Sequence, residues 1–132
     1  MNLFVDASAL VAICRGEPEM DELISALERS HRPLTNGIAM WEASRALARD
    51  HVDGLSGGLF EVRRYIDSFC IAIVPIGGAE ANEAVWAQQR YGKGTGHPAQ
   101  LNMGDCFAYA CAKTNSADLL YKGQDFIHTD LR

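Results

Sequence analysis

The stretch LFVDASALVAI (residues 3–13) changes from one periodicity to another at a single acidic residue. Leu3 to Val5 are continuously apolar, as in a strand that is buried on both faces of a parallel sheet. Asp6 follows directly, and the apolar positions after it recur with helical spacing. A buried strand that passes straight into a helix is the repeating unit of a sheet covered by helices, so this stretch predicts an α/β fold.

The rest of the chain repeats the alternation of strand and helix. The clearest further strand is IAIVPI (residues 71–76), Leu119–Tyr121 is a final buried strand, and Pro33–Thr35 is a weaker candidate. Helical spacing of apolar residues predicts helices over residues 9–13, 18–29, 37–50, 56–69, 79–91 and 103–112. We therefore predict one three-layer α/β/α domain, residues 1–132, with a central, mostly parallel sheet.

Composition limits the classes of protein that this chain can belong to. Its 132 residues include 12 Lys and Arg against 17 Asp and Glu, a net charge of −5, which argues against a broad basic surface for nucleic acid. The four cysteines (Cys14, Cys70, Cys106, Cys111) form no C-x-x-C pair and resemble the reduced thiols of a cytoplasmic protein. No apolar run reaches the ~18 to 20 residues that cross a bilayer, so we expect a soluble protein without a membrane partner.

Several carboxylates follow the predicted strands or begin the predicted helices. Asp6 and Asp125 come just after the first and last strands, and Asp105 lies three residues after the helix cap Asn102. Glu42 lies in the helix after the second strand, among mostly apolar neighbours. Ligands of parallel α/β sheets bind at the carboxyl ends of the strands, and Mg²⁺ or Mn²⁺ binds carboxylate oxygens while retaining several waters. These positions therefore favour a metal site.

Each of these residues also has an ordinary structural explanation. The explanations are helix capping for Asp6 and Ser8, a salt bridge to Arg45 for Glu42, a capping box for Asp105, and a turn for Asp125. The coincidence of the four positions, rather than any one residue, favours the metal site. If they form one site, they account for four of the five net negative charges, and the remaining domain is nearly neutral.

The sequence resembles the PIN-domain ribonucleases of the VapC toxin type, the toxic halves of bacterial and archaeal toxin–antitoxin pairs. Four segments carry the resemblance, in this order: FVDASALVAI (4–13), MWEASRAL (40–47), HPAQLNMGDCFAYACAK (97–113) and LLYKGQDFIHTDLR (119–132). Residues 50–90 contain few sequence motifs typical of the family. The order and spacing of all four acidic motifs agree with the family pattern.

The resemblance implies a function and a set of site residues. It implies that Asp6, Glu42, Asp105 and Asp125 bind Mg²⁺ or Mn²⁺ and are catalytic, and that Ser8, Thr129 and Asp130 support them without touching the metal. It also implies endonucleolytic cleavage of structured RNA, such as tRNA or rRNA loops. The implied partners are a second copy of the chain and a cognate VapB-type antitoxin that inhibits the toxin.

Other classes of protein fit the residues less well. A response-regulator receiver domain needs an aspartate near the end of its middle strand, and residues 71–76 contain none. A HAD-type phosphatase needs a second aspartate two residues after the first, where this chain has Ser8. A catalytically silent PIN-fold module that acts only through its antitoxin stays open as the alternative function. Cations that could contact RNA are Arg15, Arg45, Arg49, Lys93 and Lys122.

Overall fold

Four parallel strands form one sheet with helices on both faces in the computed structural model, which describes residues 1–131. The elements are β1 (Asn2–Val5), α1 (Ala7–Cys14), α2 (Met20–Arg29), β2 (Arg32–Thr35), α3 (Gly37–Ala48), α4 (Gly54–Ser68), β3 (Ala72–Ile73), α5 (Gly78–Tyr91), α6 (Met103–Thr114) and β4 (Ala117–Leu120). The predicted three-layer α/β/α architecture is confirmed. Within residues 1–131 no helix combines the length and the apolar character needed to span a membrane.

The strand order places β1 at the centre of the molecule. The sheet runs β3-β2-β1-β4, so the chain builds outward from β1 to β3 and then returns to add β4 on the other side of β1. Phe4 lies opposite Leu34 of β2 and Leu119 of β4, and the amide of Asp6 continues this pairing by donating to the carbonyl of Leu120 at 2.9 Å. This reversal of strand order is where α/β sheets form a crevice for ligands.

Alternation along β1 divides the core into two layers. Phe4 packs with buried residues of α5 and α6, including Tyr91 and Tyr109. Leu3 and Val5 point to the opposite face and pack with buried residues of α1 to α4. Because successive strand side chains point to opposite faces, three apolar residues are enough to attach helices on both sides of the sheet.

The strand predicted over residues 71–76 is wrong in length, since β3 comprises only Ala72–Ile73. The amide of Ile71 is already used at the end of α4, where it donates to the carbonyl of Ile66 at 2.9 Å. Pro75 has no amide hydrogen to donate. The apolar run therefore pairs with β2 over its middle residues only, although Ile71 itself remains buried.

Buried polar residues at the carboxyl ends of the strands have hydrogen-bond partners. Thr35, at the end of β2, donates from Oγ1 to the carbonyl of Val5 at 2.9 Å and so joins the ends of two strands. The next residue, Asn36, caps α3, because its Oδ1 accepts from the amide of Ala39 at 2.8 Å. Its Nδ2 donates to the sulfur of Cys111 on α6 at 3.3 Å. Hydrogen bonds within the protein therefore fix this edge of the sheet, and no ligand is needed for that.

Helices α3 and α4 pack closely at Gly58, which predicts a difference between two glycine substitutions. A Cβ on Gly58 would lie under 3.0 Å from the main-chain carbonyl of Ser44, and backbone cannot move aside cheaply. We expect Gly58→Ala to lower the free energy of unfolding by ~1–3 kcal/mol in urea denaturation. Gly78→Ala, where the Cβ meets nothing within 4 Å, should leave stability equal or higher. Equal stability of the two variants would contradict close α3–α4 packing.

Candidate functional site

Asp6 stands at the junction of β1 and α1 and has two structural roles. It is the N-cap of α1, and its Oδ2 accepts from the amide of Ser8 at 3.1 Å and from the Ser8 hydroxyl at 2.6 Å. Its side chain is buried. Burial raises the pKa of Asp6 above its usual range, the charge of Asp125 raises it further, and the bonds from Ser8 lower it. Burial is the largest of these effects.

Ser8 also connects Asp6 to the segment that follows β4. Its Oγ, which donates to Asp6, accepts from the main-chain amide of Lys122 at 3.0 Å. The Lys122 ammonium forms ion pairs with Glu17 and Glu19 in the loop after α1. The start of the chain that leads to Asp125 is thus attached both to the Asp6 cap and to the loop after α1.

Asp105 combines a helix cap with an unusual electrostatic environment. It forms a capping box with Asn102: the Asp105 amide donates to the Asn102 Oδ1 at 2.9 Å, and the Asn102 amide donates to the Asp105 Oδ2 at 3.1 Å. Burial raises the pKa of Asp105 to about 7, against the effect of the Asn102 bond. The charges of Asp125, Asp6 and Glu42 raise it further, so the four predicted acids interact with one another.

Glu42 faces the first turn of α6. A Cβ built on Gly104 would lie under 3.0 Å from both carboxylate oxygens of Glu42 and 2.5 Å from its Cδ. Burial, followed by the charge of Asp6, raises the pKa of Glu42 to about 7. The alternative of an ion pair with Arg45 is wrong, because the Arg45 guanidinium lies over the exposed ring of Trp41, 5.3 Å from its centroid.

The last predicted residues lie in the turns after β4. Asp125 is exposed, and its charge contributes to the raised pKa values of Asp6 and Asp105. Thr129 is buried and donates to a main-chain carbonyl three residues earlier at 2.8 Å. Asp130 accepts from the hydroxyl of Tyr109 at 2.7 Å and forms an ion pair of 2.5 Å with Lys113 on α6. The support predicted for Thr129 and Asp130 stays a prediction, since these bonds hold the terminal turns rather than the acids.

The donor set fits a hard divalent cation. Across residues 1–131, no Lys or Arg forms an ion pair with any of the four acids, so their charges repel one another without compensation. In the same part of the chain, no group of three or more Asp, Glu, His or Cys side chains lies close enough together to hold a metal ion as the side chains stand. The fit therefore rests on donor chemistry: the four acids offer carboxylate oxygens, which Mg²⁺ and Mn²⁺ prefer while retaining several waters.

Two of the cations considered for RNA contact are already paired. Arg15 lies 3.1 Å from Asp50, and Lys122 pairs with Glu17 and Glu19. Exposed ion pairs of this kind contribute only ~0–1 kcal/mol, so an RNA phosphate can compete for these side chains. Lys122 lies two residues after β4, whereas Arg15 ends α1 and bonds to the carbonyl of Ala46 on α3.

Gly104 is not among the site residues predicted from the sequence. The available signal was weak: a glycine in the first turn of a helix, directly before an acidic residue. Its importance depends on Glu42, which comes from another helix, and no local pattern reveals that contact.

A parallel sheet with helices on both faces and mutually interacting acids beyond its strand ends defines an α/β protein with an acidic site. The profile of the family described as PIN domain matches residues 3–131. A VapC ribonuclease of Rhizobium meliloti (strain 1021) is 41% identical over 139 residues, which cover 97% of this chain and 98% of that protein. Ribonuclease VapC42 of Mycobacterium tuberculosis is 36% identical over 133 residues, with coverage of 98% and 97%. The chain therefore belongs to the PIN-domain family, in the branch formed by the VapC ribonucleases.

A solved structure agrees with this assignment at the level of the fold. The crystal structure of VapC20 of Mycobacterium tuberculosis, described as a sarcin-ricin loop cleaving toxin, superposes with a TM-score of 0.75. The superposition covers 98% of this chain and 96% of the other, at 14% sequence identity. At this level of identity the likeness concerns the fold alone.

The crowded carboxylates predict a pH-dependent effect on stability. The pKa of Asp105 is raised to about 7 from an ordinary 3.8, so ionisation of this group destabilises the fold increasingly between pH 4 and pH 7. Asp105→Asn keeps an oxygen that can accept from the Asn102 amide and removes the charge. In EDTA, we expect the variant to match the wild type near pH 4 and to be more stable by at least ~1 kcal/mol at pH 8.

Thermal unfolding at both pH values measures this effect. Asp67→Asn, an exposed position on α4, serves as the control and should change stability by less than ~0.5 kcal/mol. A loss of stability in Asp105→Asn at pH 8 would mean that the carboxylate contributes more as a helix cap than it costs as a buried charge.

Proposed function

We propose that this chain is the toxin of a toxin–antitoxin pair and a metal-dependent endoribonuclease. In this proposal Asp6, Glu42, Asp105 and Asp125 hold Mg²⁺ or Mn²⁺ and hydrolyse phosphodiester bonds in structured RNA. The observation that carries it is the meeting of two acids from separate helices: the Glu42 carboxylate lies against Gly104, directly before Asp105, whose pKa is raised first by burial and then by the charges of the other three acids. The relationship to VapC ribonucleases over nearly the full chain supports the same reaction.

The two buried aspartates can serve the fold and the metal at the same time. Both Ser8 bonds to Asp6 end on Oδ2, and the Asn102 amide likewise donates to Oδ2 of Asp105. These bonds all end on Oδ2, so each aspartate is oriented through one oxygen, and Oδ1 is the oxygen we assign to the metal. When bound, Mg²⁺ or Mn²⁺ supplies a water of lowered pKa and neutralises charge on the phosphate oxygens.

The charge of the site controls access for RNA. The four carboxylates, whose charges interact at Asp105, would repel a phosphodiester, and bound divalent cations would offset that repulsion. The rest of the domain is nearly neutral, so contacts to RNA would be local and come from single cations such as Arg45 on α3 and Arg49, the C-cap of α3. The proposed substrates are loops of tRNA or rRNA. VapC20 is described as cleaving the sarcin-ricin loop, but 14% identity does not transfer that target.

The proposed partners follow from the family. A cognate VapB-type antitoxin would neutralise the toxin, and a second copy of the chain would complete a homodimer. We place the protein in the cytoplasm, where its RNA targets are found and where its four free cysteines would stay reduced. A catalytically silent PIN-fold module that acts only through the antitoxin is the competing function, and loss of the metal ligands distinguishes the two.

Asp6→Asn tests catalysis in cells and in solution. Production of the wild-type chain without its antitoxin should arrest growth and generate new RNA 5′ ends at discrete sites, which sequencing of RNA ends will locate. The isosteric variant still offers an oxygen to Ser8, so we expect it to fold, to relieve arrest and to lower cleavage at least ~10²-fold. Asp67→Asn should remain toxic. Arrest that persists in Asp6→Asn at equal protein abundance would contradict the metal-nuclease function.

Metal affinity should depend on pH through the same acids. Glu42 and Asp105 have pKa values raised to about 7, so protons compete with the metal below that pH and the competition ends above it. We expect the dissociation constant for Mn²⁺, measured by titration calorimetry, to fall about ten- to hundredfold from pH 6 to pH 8. Cleavage should stop in EDTA and return with Mg²⁺ or Mn²⁺. Affinity that does not change over this range would exclude both acids as ligands.

A further inference from the structure

Gly104 occupies a place in α6 where local preferences would favour alanine. It lies in the first turn of the helix and is buried, and its φ is not in the left-handed region that requires glycine. At such a position alanine stabilises a helix by up to ~1 kcal/mol relative to glycine. The backbone therefore gives no reason for this glycine, and the reason has to come from its surroundings.

The surroundings are the carboxylate of Glu42. A Cβ on Gly104 would lie under 3.0 Å from both carboxylate oxygens and 2.5 Å from Cδ, so the carboxylate occupies the space that a side chain would take. Glu42 reaches this place from α3, and Asp105 follows Gly104 in α6. The first turn of α6 also carries the positive end of the helix dipole, which favours a nearby carboxylate.

We propose that Gly104 is a positioning residue for the metal site: its missing side chain lets the Glu42 carboxylate lie against the first turn of α6, beside Asp105. The proposal rests on the proposed function, because it assumes that Glu42 is a metal ligand. Gly104 itself does not touch the metal. It acts by keeping the Glu42 carboxylate at one place between two helices.

Alanine at this position should displace the ligand and leave the fold intact. The atoms that it would meet are the far end of a flexible side chain, which can rotate away without moving the backbone. Gly58 differs in this respect, since its added Cβ would meet the main-chain carbonyl of Ser44. In Gly104→Ala the carboxylate of Glu42 would turn away from Asp105, so metal binding is lost while stability is kept.

The direct test is Mn²⁺ binding to the purified full-length chain by titration calorimetry at pH 8. We expect Gly104→Ala to melt in EDTA at the wild-type temperature or above it and to bind Mn²⁺ at least ~10-fold more weakly. Gly37→Ala is the matched control, because Gly37 begins α3 and its added Cβ would meet nothing within 4 Å. It should bind Mn²⁺ like the wild type. Wild-type affinity in Gly104→Ala would overturn the proposal.

A double variant tests whether the effect passes through Glu42. Glu42→Gln removes the charged ligand and keeps its shape, so adding Gly104→Ala to it should change Mn²⁺ affinity less than twofold. An equal loss in both backgrounds would overturn the proposal, because it would place the effect on Asp105 or on α6 as a whole. Should Gly104→Ala fail to fold, Glu42→Ala combined with it should fold again, and failure of that variant would also overturn the proposal.

The same titration separates this inference from the proposed function. If the wild type binds Mn²⁺ and both Asp6→Asn and Glu42→Gln weaken the binding, the metal site stands, and Gly104→Ala alone decides the positioning role. If the wild type does not bind Mn²⁺, or if Asp6→Asn binds it equally well, the proposed metal site is contradicted. The proposed positioning role of Gly104 is then contradicted as well.

Discussion

The burial of Asp6 and Asp105 near other carboxylates is the constraint on which this site depends. Asp6 joins the acidic site to the sheet and to a helix: its amide extends the pairing of β1 with β4, and its carboxylate caps α1. Burial makes the charged form of this group costly, and the neighbouring acids increase that cost. Such a group lowers stability at neutral pH, and the cation proposed for this site would offset that cost.

The hydrogen bonds that cap α1 and α6 end on Oδ2 of Asp6 and on Oδ2 of Asp105. Helix capping and the proposed metal binding are therefore not exclusive, because a cap needs one oxygen and a ligand would need another. The capping bonds also orient these carboxylates, which the proposed site requires because its ligands would come from separate elements. Ser8 extends this arrangement by linking the Asp6 carboxylate to the main chain after β4.

Much of the fold could be read from local patterns, and the failures have local physical causes. The strand at Leu3–Val5 was predicted because its apolar residues continue without polar interruption, and the cap at Asn102 because its acidic partner lies three residues later. The strand over residues 71–76 was overestimated, because apolar character reports burial, whereas pairing also needs free amides. Pro75 has none, and the amide of Ile71 is used by α4.

The sequence by itself determined the chemistry available to this protein: which residues are acidic, which of them cap helices, and that the chain alternates buried strands with helices. These properties depend on residue type and short-range spacing, which a linear pattern records. Only the tertiary structure decided the neighbours of each acid. Glu42 is within sequence reach of Arg45, yet the packing of α3 against α6 turns its carboxylate to Gly104. Contacts between helices depend on how the core packs. Only the tertiary structure therefore shows that the missing side chain of Gly104 leaves space for the Glu42 carboxylate.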